Sequence, residues 1–388
     1  MGMNIIQVVS RFPPAIGGME EHVYQISLEL SKCGHKVSII TSNEIDDKTY
    51  TCKEEVIHGM QVYRYPLFMP KMFREFWLIP DVLKAFQRLE ADVVHVHGYR
   101  CLSSCTAIYL AHFKHTPTVF TPHGIYPKRS FVNMVIKSLF DHTLGRLLLS
   151  LSDRIVALTE HNRRLVLQLG ASAEKIICVP NGVNLDEYAN LQRSKKALDD
   201  LCTDGPLLLY AGRIDWNKQL EKVIFSMPLI LKEFPYAKFV IVGPDYANYA
   251  SSLLSLAGKL NVENSLVITG KVSKERLLEF YSIADIFLLP SSYEGFGLSM
   301  LEAMSSKIPV IVSSSGGPGD ILSHGVNAIL LKNVTPSEIF NAVYAILTDH
   351  SLREAIIKNA FELVKRRYTW KTVVRKLEMV YGQVLCYR

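Results

Sequence analysis

Two carboxylates, Glu294 and Glu302, bracket the turn Gly295-Phe296-Gly297-Leu298-Ser299. The apolar run Ile286-Phe287-Leu288-Leu289 before it reads as a buried parallel strand, and Leu298, Leu301 and Met304 after it recur at helical spacing. A glycine-rich strand-to-helix turn leaves backbone N–H groups free at a helix start, where they attract an anion. Carboxylates repel an anion, so both halves make sense together only for a ligand carrying hydroxyls around a phosphate, as a nucleotide sugar does. Read plainly, Glu294 is a helix cap and Glu302 a solvated helix residue; the complete turn argues against that.

A second charged turn stands upstream. Leu207 to Ala211 reads as a strand, and Gly212-Arg213-Ile214-Asp215-Trp216-Asn217-Lys218 leads from it into a helix. Arg213 as a planar fork and Lys218 as a point charge suit a diphosphate. In the first half, the strand Asp92 to His97 ends in His95-Val96-His97, and Thr118 to Thr121 delivers Pro122-His123-Gly124 to a carboxyl edge, where parallel sheets bind ligands. His95 and His97 share a strand face. With no third ligand evident in the sequence they read as a polar strand tip rather than a metal site. Gly17-Gly18 follows the opening strand and lets backbone approach a ligand; it is not part of a G-x-G-x-x-G fingerprint, so no nicotinamide cofactor is indicated.

The elements that position these residues alternate strand and helix throughout, the pattern of α/β domains with parallel sheets. The 388 residues suggest two domains. Residues 1–190 and 206–370 each read as a doubly wound Rossmann-like unit, with the polar stretch 190–205 as linker. The segment 352–385 reads as helical with a break near Tyr368-Thr369-Trp370.

Composition is that of an ordinary globular protein, 48% hydrophobic and 21% charged, with net charge +6, short of the extremes of nucleic-acid binders. No run approaches the ~18 apolar residues of a membrane-spanning helix, and the N-terminus lacks a basic leader. Seven scattered cysteines fit free thiols in a reducing compartment. The expected location is therefore the cytosol or the cytosolic face of a membrane. From His58 to Thr159 twelve Lys/Arg face six Asp/Glu, an excess that coincides with two stretches of basic and bulky apolar residues, 71–89 and 127–152; in the second, Phe131 to Ser152 reads as one long amphipathic helix, with Lys128, Arg129, Lys137 and Arg146 among apolar residues. Such segments suit an anionic lipid surface, so peripheral membrane docking is expected alongside the alternative of core helices with a soluble acceptor.

The spacing of Glu294 and Glu302, with Pro290-Ser291 before them, resembles the E-x7-E motif of family 4 retaining glycosyltransferases. Gly212-Arg213 to Lys218 resembles that family's G-R-x-x-x-x-K element, with Asn217 and Gln219 in place of the usual Glu and Gly. Weaker likenesses run from the Gly17 loop, where Glu20 and His22 match and Glu21 replaces Arg, through Pro180-Asn181-Gly182-Val183-Asn184 to the glycine turn ending at Asp320. The resemblance implies a GT-B fold: two Rossmann-like domains facing a cleft, with the last helix, 371–388, crossing back onto the first domain. It implies that Arg213 and Lys218 hold the diphosphate, that Glu294 binds sugar hydroxyls and Glu302 the ribose, and that His123 lies beside the donor sugar. Gly17, Gly18, Val272, Gly295, Phe296, Gly297, Leu298 and Ser299 complete the implied donor site, Val272 lying in the turn that holds the base. The implied activity is transfer of a hexosyl unit, with retention, from a UDP- or GDP-linked sugar to a sugar, glycolipid or lipid-linked acceptor. No metal and no cofactor beyond the donor is expected, since the sequence contains no Asp-x-Asp pair. Two other classes fit the same residues: a GT-B-like sugar-nucleotide epimerase, which would turn over donor without acceptor, and a non-catalytic sugar-nucleotide binder.

Overall fold

The structure, a computed structural model, describes residues 2–45, 48–68, 78–124, 131–245 and 248–386, with backbone alone at 45, 48 and 131–133. The chain forms two compact units, Met1–Gly182 with Trp370–Arg388, and Val183–Thr369. Each is an α/β unit built on a mostly parallel sheet.

The first unit has an eight-stranded sheet. Its order is Ile176–Cys178, Arg154–Ala157, Thr118–Thr121, Val93–His97, Asn4–Val8, Lys36–Ser42, Met60–Tyr65 and Glu54–Ile57. Glu54–Ile57 is antiparallel to its neighbour, and every other pair is parallel. Strands in such a sheet are covered on both faces and so read as unbroken apolar runs; Ile5, Ile6 and Val8 are each at most 2% exposed. The helix Gly18–Lys32 buries Val23, Ile26 and Leu30, spaced three and four apart on one face. The C-terminal helix Trp370–Cys386 packs against it, with His35 Nε2 3.0 Å from Glu378 Oε1.

The second unit has six parallel strands. Numbered within this unit in chain order, they lie 3-2-1-4-5-6: Leu266–Gly270, Lys238–Val242, Leu207–Ala211, Ile286–Leu289, Val310–Ser313, Ile329–Leu331. That is the doubly wound dinucleotide-fold order, with its switch point between the first and fourth strands, where such folds bind ligands. Three glycines with positive φ end the first three strands: Gly212 (151°), Gly243 (144°) and Gly270 (69°). A Cβ on Gly243 would lie 1.9 Å from Gly212 O, so the strand ends can approach this closely only as glycine.

Three expectations change. The polar stretch 190–205 carries a helix, Lys195–Leu201, capped by Ser194 and anchored by buried Ala197 and Leu201. The single helix expected to reach Ser152 is two, Phe131–His142 and Leu144–Leu151, interrupted at Thr143, whose φ and ψ of −119° and −97° are not helical. Lys137, expected among the cations of a lipid-facing amphipathic stretch, is only 4% exposed. In the stretch 71–89, the described helix Val82–Arg88 turns Val82, Ala85 and Phe86 into the core; Lys71, Met72, Phe73, Arg74, Phe76 and Trp77, like Lys128 and Arg129 of the second stretch, lie outside the described residues. Among the described residues no helix is long and apolar enough to cross a membrane.

Candidate functional site

The second unit's switch point carries both charged turns. Leu207–Ala211 ends at Gly212 and leads into the Arg213–Lys218 turn; Ile286–Leu289 ends at Pro290 and leads into the Glu294 turn. The two are stapled together. Ser292 donates to Asn217 O through its backbone N (2.8 Å) and its Oγ (3.1 Å). Lys218 Nζ donates to Glu294 Oε2 at 2.6 Å, with the two side chains 12% and 17% exposed. Below them Tyr210, fully buried, donates its hydroxyl to Arg213 O at 2.7 Å, and burial pushes that phenol well above its usual range. Asp215 caps the short turn through Asn217 N, and Gln219 leaves it with φ 50°.

Glu294 is held from a third side. Gly317 N donates to Glu294 O at 2.8 Å. Gly316 has φ 83°, and a Cβ there would stand 2.2 Å from Glu294 O, so the late glycine turn presses on the Glu294 backbone with no side chain between. Gly297, φ 89°, starts the helix Leu298–Ser305. Its first amides, from Leu298 and Ser299, point along the helix start and lack intrahelical acceptors. Phe296 is 4% exposed and packs edge-on against Tyr368, ring centres 6.1 Å apart; its side chain belongs to the core, which leaves only its backbone for any ligand role. Val272 lies in the turn after Leu266–Gly270, before the helix Lys274–Ile283.

Glu302, one turn into its helix, accepts from Tyr281 Oη at 2.8 Å. The Tyr188 phenol lies close enough to feel its charge, and Lys274 Nζ donates to the Tyr188 hydroxyl. Burial, then the Glu302 charge, raises both phenols well above their usual range. Neither Glu is therefore a bland surface residue: one is ion-paired, the other bonded by one buried phenol with a second beside it. Tyr188, Tyr281 and Lys274 escape sequence reasoning, since a tyrosine in an apolar helix reads as packing.

The first unit gathers histidines instead. Its switch point lies between Asn4–Val8 and Val93–His97. His97 and His123 end neighbouring strands, and His22 comes from the helix Gly18–Lys32. His97 Nδ1 lies 3.0 Å from His123 Nε2, His97 Nε2 2.7 Å from Gln7 Oε1, and His22 Nδ1 2.6 Å from Asn181 Oδ1. His95 lies behind, bonded to Tyr381 Oη at 2.7 Å and Thr121 Oγ1 at 2.8 Å. None of the four is more than 8% exposed. Burial lowers the pKa of His22 to about 4, against its bond to Asn181. Burial, then mutual repulsion, takes His95, His97 and His123 well below the usual histidine range. All four rings are neutral at pH 7. His123 adopts φ 57°, a strained setting of the sort found at functional sites. The pair read as a polar strand tip thus belongs to a larger cluster: His22 and His123 complete a trio of potential ligands with His97.

At the Gly17-Gly18 loop the glycine has an internal reason. A Cβ on Gly17 would meet Glu20 Oε2 at 2.2 Å; Glu20, 3% exposed, folds back there and pairs with Arg11 at 2.6 Å.

Comparison with known proteins gives a consistent result. The family model "Glycosyltransferase Family 4" matches residues 16–187, and "Glycosyl transferases group 1" matches 192–363. The uncharacterized glycosyltransferase MJ1607 of Methanocaldococcus jannaschii is 30% identical, covering 98% of this chain and 98% of its own. The GPI3 subunit of phosphatidylinositol N-acetylglucosaminyltransferase from Saccharomyces cerevisiae is 22% identical over 99% of this chain and 84% of its own. Among solved structures, HepE of Anabaena in complex with UDP superposes with a TM-score of 0.80 at 19% identity, covering 98% of this chain and 100% of that one; that likeness is one of fold.

Proposed function

Because the chain belongs to the family 4 glycosyltransferases of GT-B fold, we propose that it moves a hexosyl unit from a UDP- or GDP-linked sugar to a hydroxyl of a sugar, glycolipid or lipid-linked acceptor, with retention. The observation that carries this reading is the Lys218–Glu294 pair across the two turns of the second unit's switch point. Lysine has three N–H donors, so Lys218 can hold Glu294 and still offer hydrogen to a phosphate. Arg213 adds a fork, and the amides of Gly295 to Ser299 add dipoles. As the glycosidic bond breaks, the diphosphate gains charge, and these fixed donors stabilise it; one such contact is worth ~2.7–4 kcal/mol of barrier. Glu294 takes sugar hydroxyls, Glu302 the ribose, backbone near Val272 the base, and His123 of the first unit the sugar. No carboxylate is assigned to the anomeric carbon, so same-face attack, with the leaving phosphate as base, is favoured over a covalent intermediate. HepE, solved with UDP, supports a nucleotide donor. The missing Asp-x-Asp pair supports metal-independent diphosphate binding.

A panel of UDP- and GDP-sugars, assayed for nucleotide release with and without acceptor in EDTA, tests this. Acceptor-dependent release with the donor's anomeric configuration kept in the product is the expected result. An inverted product, activity lost in EDTA and restored by magnesium, or turnover of donor to an epimer alone would contradict it.

A lipid-linked acceptor has its own support. The helices Phe131–His142 and Leu144–Leu151 expose Met134, Val135, Leu139, Leu144 and Leu147, each 40–65% accessible, an apolar run of the sort that marks interaction surfaces. The yeast relative's name includes phosphatidylinositol. The chain is then peripheral on the cytosolic face of a membrane. In a gradient it floats with anionic liposomes at low salt and stays down with neutral ones; remaining at the bottom with both would refute docking.

A further inference from the structure

One ring nitrogen from each of His22, His97 and His123 lies within 4.8 Å of the other two, and the outer nitrogens, His22 Nδ1 and His97 Nε2, are those already hydrogen-bonded to amide oxygens. Gln7 Oε1 can only accept, so His97 Nε2 carries its hydrogen; Asn181 Oδ1 likewise takes the hydrogen of His22 Nδ1. Each neutral ring has one N–H, so His97 Nδ1 and His22 Nε2 carry lone pairs. The His97 lone pair accepts from His123 Nε2. His22 Nε2, in a residue 1% exposed, has no hydrogen-bond partner among the described residues. A buried, unsatisfied acceptor is costly and calls for an occupant.

We propose that His22 Nε2, His97 Nδ1 and His123 Nε2 form a site for one imidazole-preferring divalent ion of the zinc class, with a fourth coordination position open. Three imidazoles select zinc, nickel or copper over magnesium and calcium, and three histidines with an open position is a recurrent zinc arrangement. Carbonyl oxygens on the outer nitrogens, here from Gln7 and Asn181, are the supports that orient metal-bound histidines. His95, held by Tyr381 and Thr121, stays outside the set. Binding needs one internal rearrangement: the His123 hydrogen moves from Nε2 to Nδ1, with the ring neutral before and after. The ion is separate from the diphosphate ligands of the second unit. If His123 faces the donor sugar as proposed above, the ion removes its Nε2 from that task and slows turnover; this consequence rests on that reading, whereas binding does not.

Cobalt(II) titrated into metal-free protein tests the site. The expected result is one equivalent bound with visible ligand-field bands of a tetrahedral nitrogen site, displaced by zinc, and lacking the near-ultraviolet thiolate band that the exposed Cys33, Cys178, Cys202 and Cys386 would give. His22→Gln abolishes those bands. Asn181→Ala, which keeps all three ligands, weakens binding by about ten- to a hundredfold and serves if His22→Gln does not fold. Absence of the bands at stoichiometric cobalt, or equal binding by wild type and Asn181→Ala, overturns the site. Cobalt binding without inhibition would instead refute the placing of His123 at the sugar.

Discussion

The two units solve the same problem, a polar site at the switch point of a parallel sheet, with opposite chemistry. The second unit uses charge: Lys218 and Glu294 meet at 2.6 Å, each retaining some exposure. The first uses neutral rings, buried so deeply that ionisation is suppressed. Burial decides the difference. A charge is tolerated where a partner and water remain near, whereas a sealed pocket accepts only groups that can shed their charge. The charged site fits a diphosphate; the neutral one fits hydroxyls or a soft cation.

The largest expected effect falls on the charged side. Lys218→Ala or Glu294→Gln lowers turnover at least about a hundredfold, the loss of ~2.7 kcal/mol or more, with the fold intact by circular dichroism; wild-type turnover in either would remove the pair from the site. Tyr281→Phe strips one bond from the Glu302 carboxylate. Hydrogen bonds to charged groups are worth ~1.5–3 kcal/mol, so donor affinity falls about tenfold, read as a rise in KM at little change in kcat; an unchanged KM would make Glu302 structural only.

The neutral side is tested by acid. Folded His22 stays unprotonated down to about pH 4, whereas its unfolded value is 6.5. Between those values the unfolded chain binds the extra proton, so stability is complete above 6.5 and declines as pH falls. Chemical denaturation of metal-free protein at pH 7 and 5.5 shows a loss of at least about 1 kcal/mol, reduced in His22→Gln. A flat profile would mean the cluster is not sealed from water.

The charged site was largely legible in sequence because each turn is local: Glu294 to Glu302 and Arg213 to Lys218 are short stretches whose glycines and charges announce a strand-to-helix turn. Their pairing was not, since only the 3-2-1-4-5-6 strand order sets the first strand beside the fourth. The histidine cluster was less legible for the same reason. His95 and His97 looked like a pair without a third member because His22 and His123 arrive from other elements. The long helix to Ser152 misread its break, since Thr143 carries no proline or glycine signal, and the supposed linker hid a helix whose Ser194 cap and buried Ala197 and Leu201 are individually unremarkable.

The most direct test is calorimetric titration of UDP and GDP into wild type, Lys218→Ala and His123→Gln. If the second unit alone holds the nucleotide, Lys218→Ala weakens the preferred nucleotide at least about tenfold, the ~1.4 kcal/mol scale of one charge-assisted contact, while His123→Gln, which loses turnover, binds it as wild type does. Wild-type affinity in Lys218→Ala, or loss of nucleotide binding in His123→Gln, would contradict the division of labour between the two units.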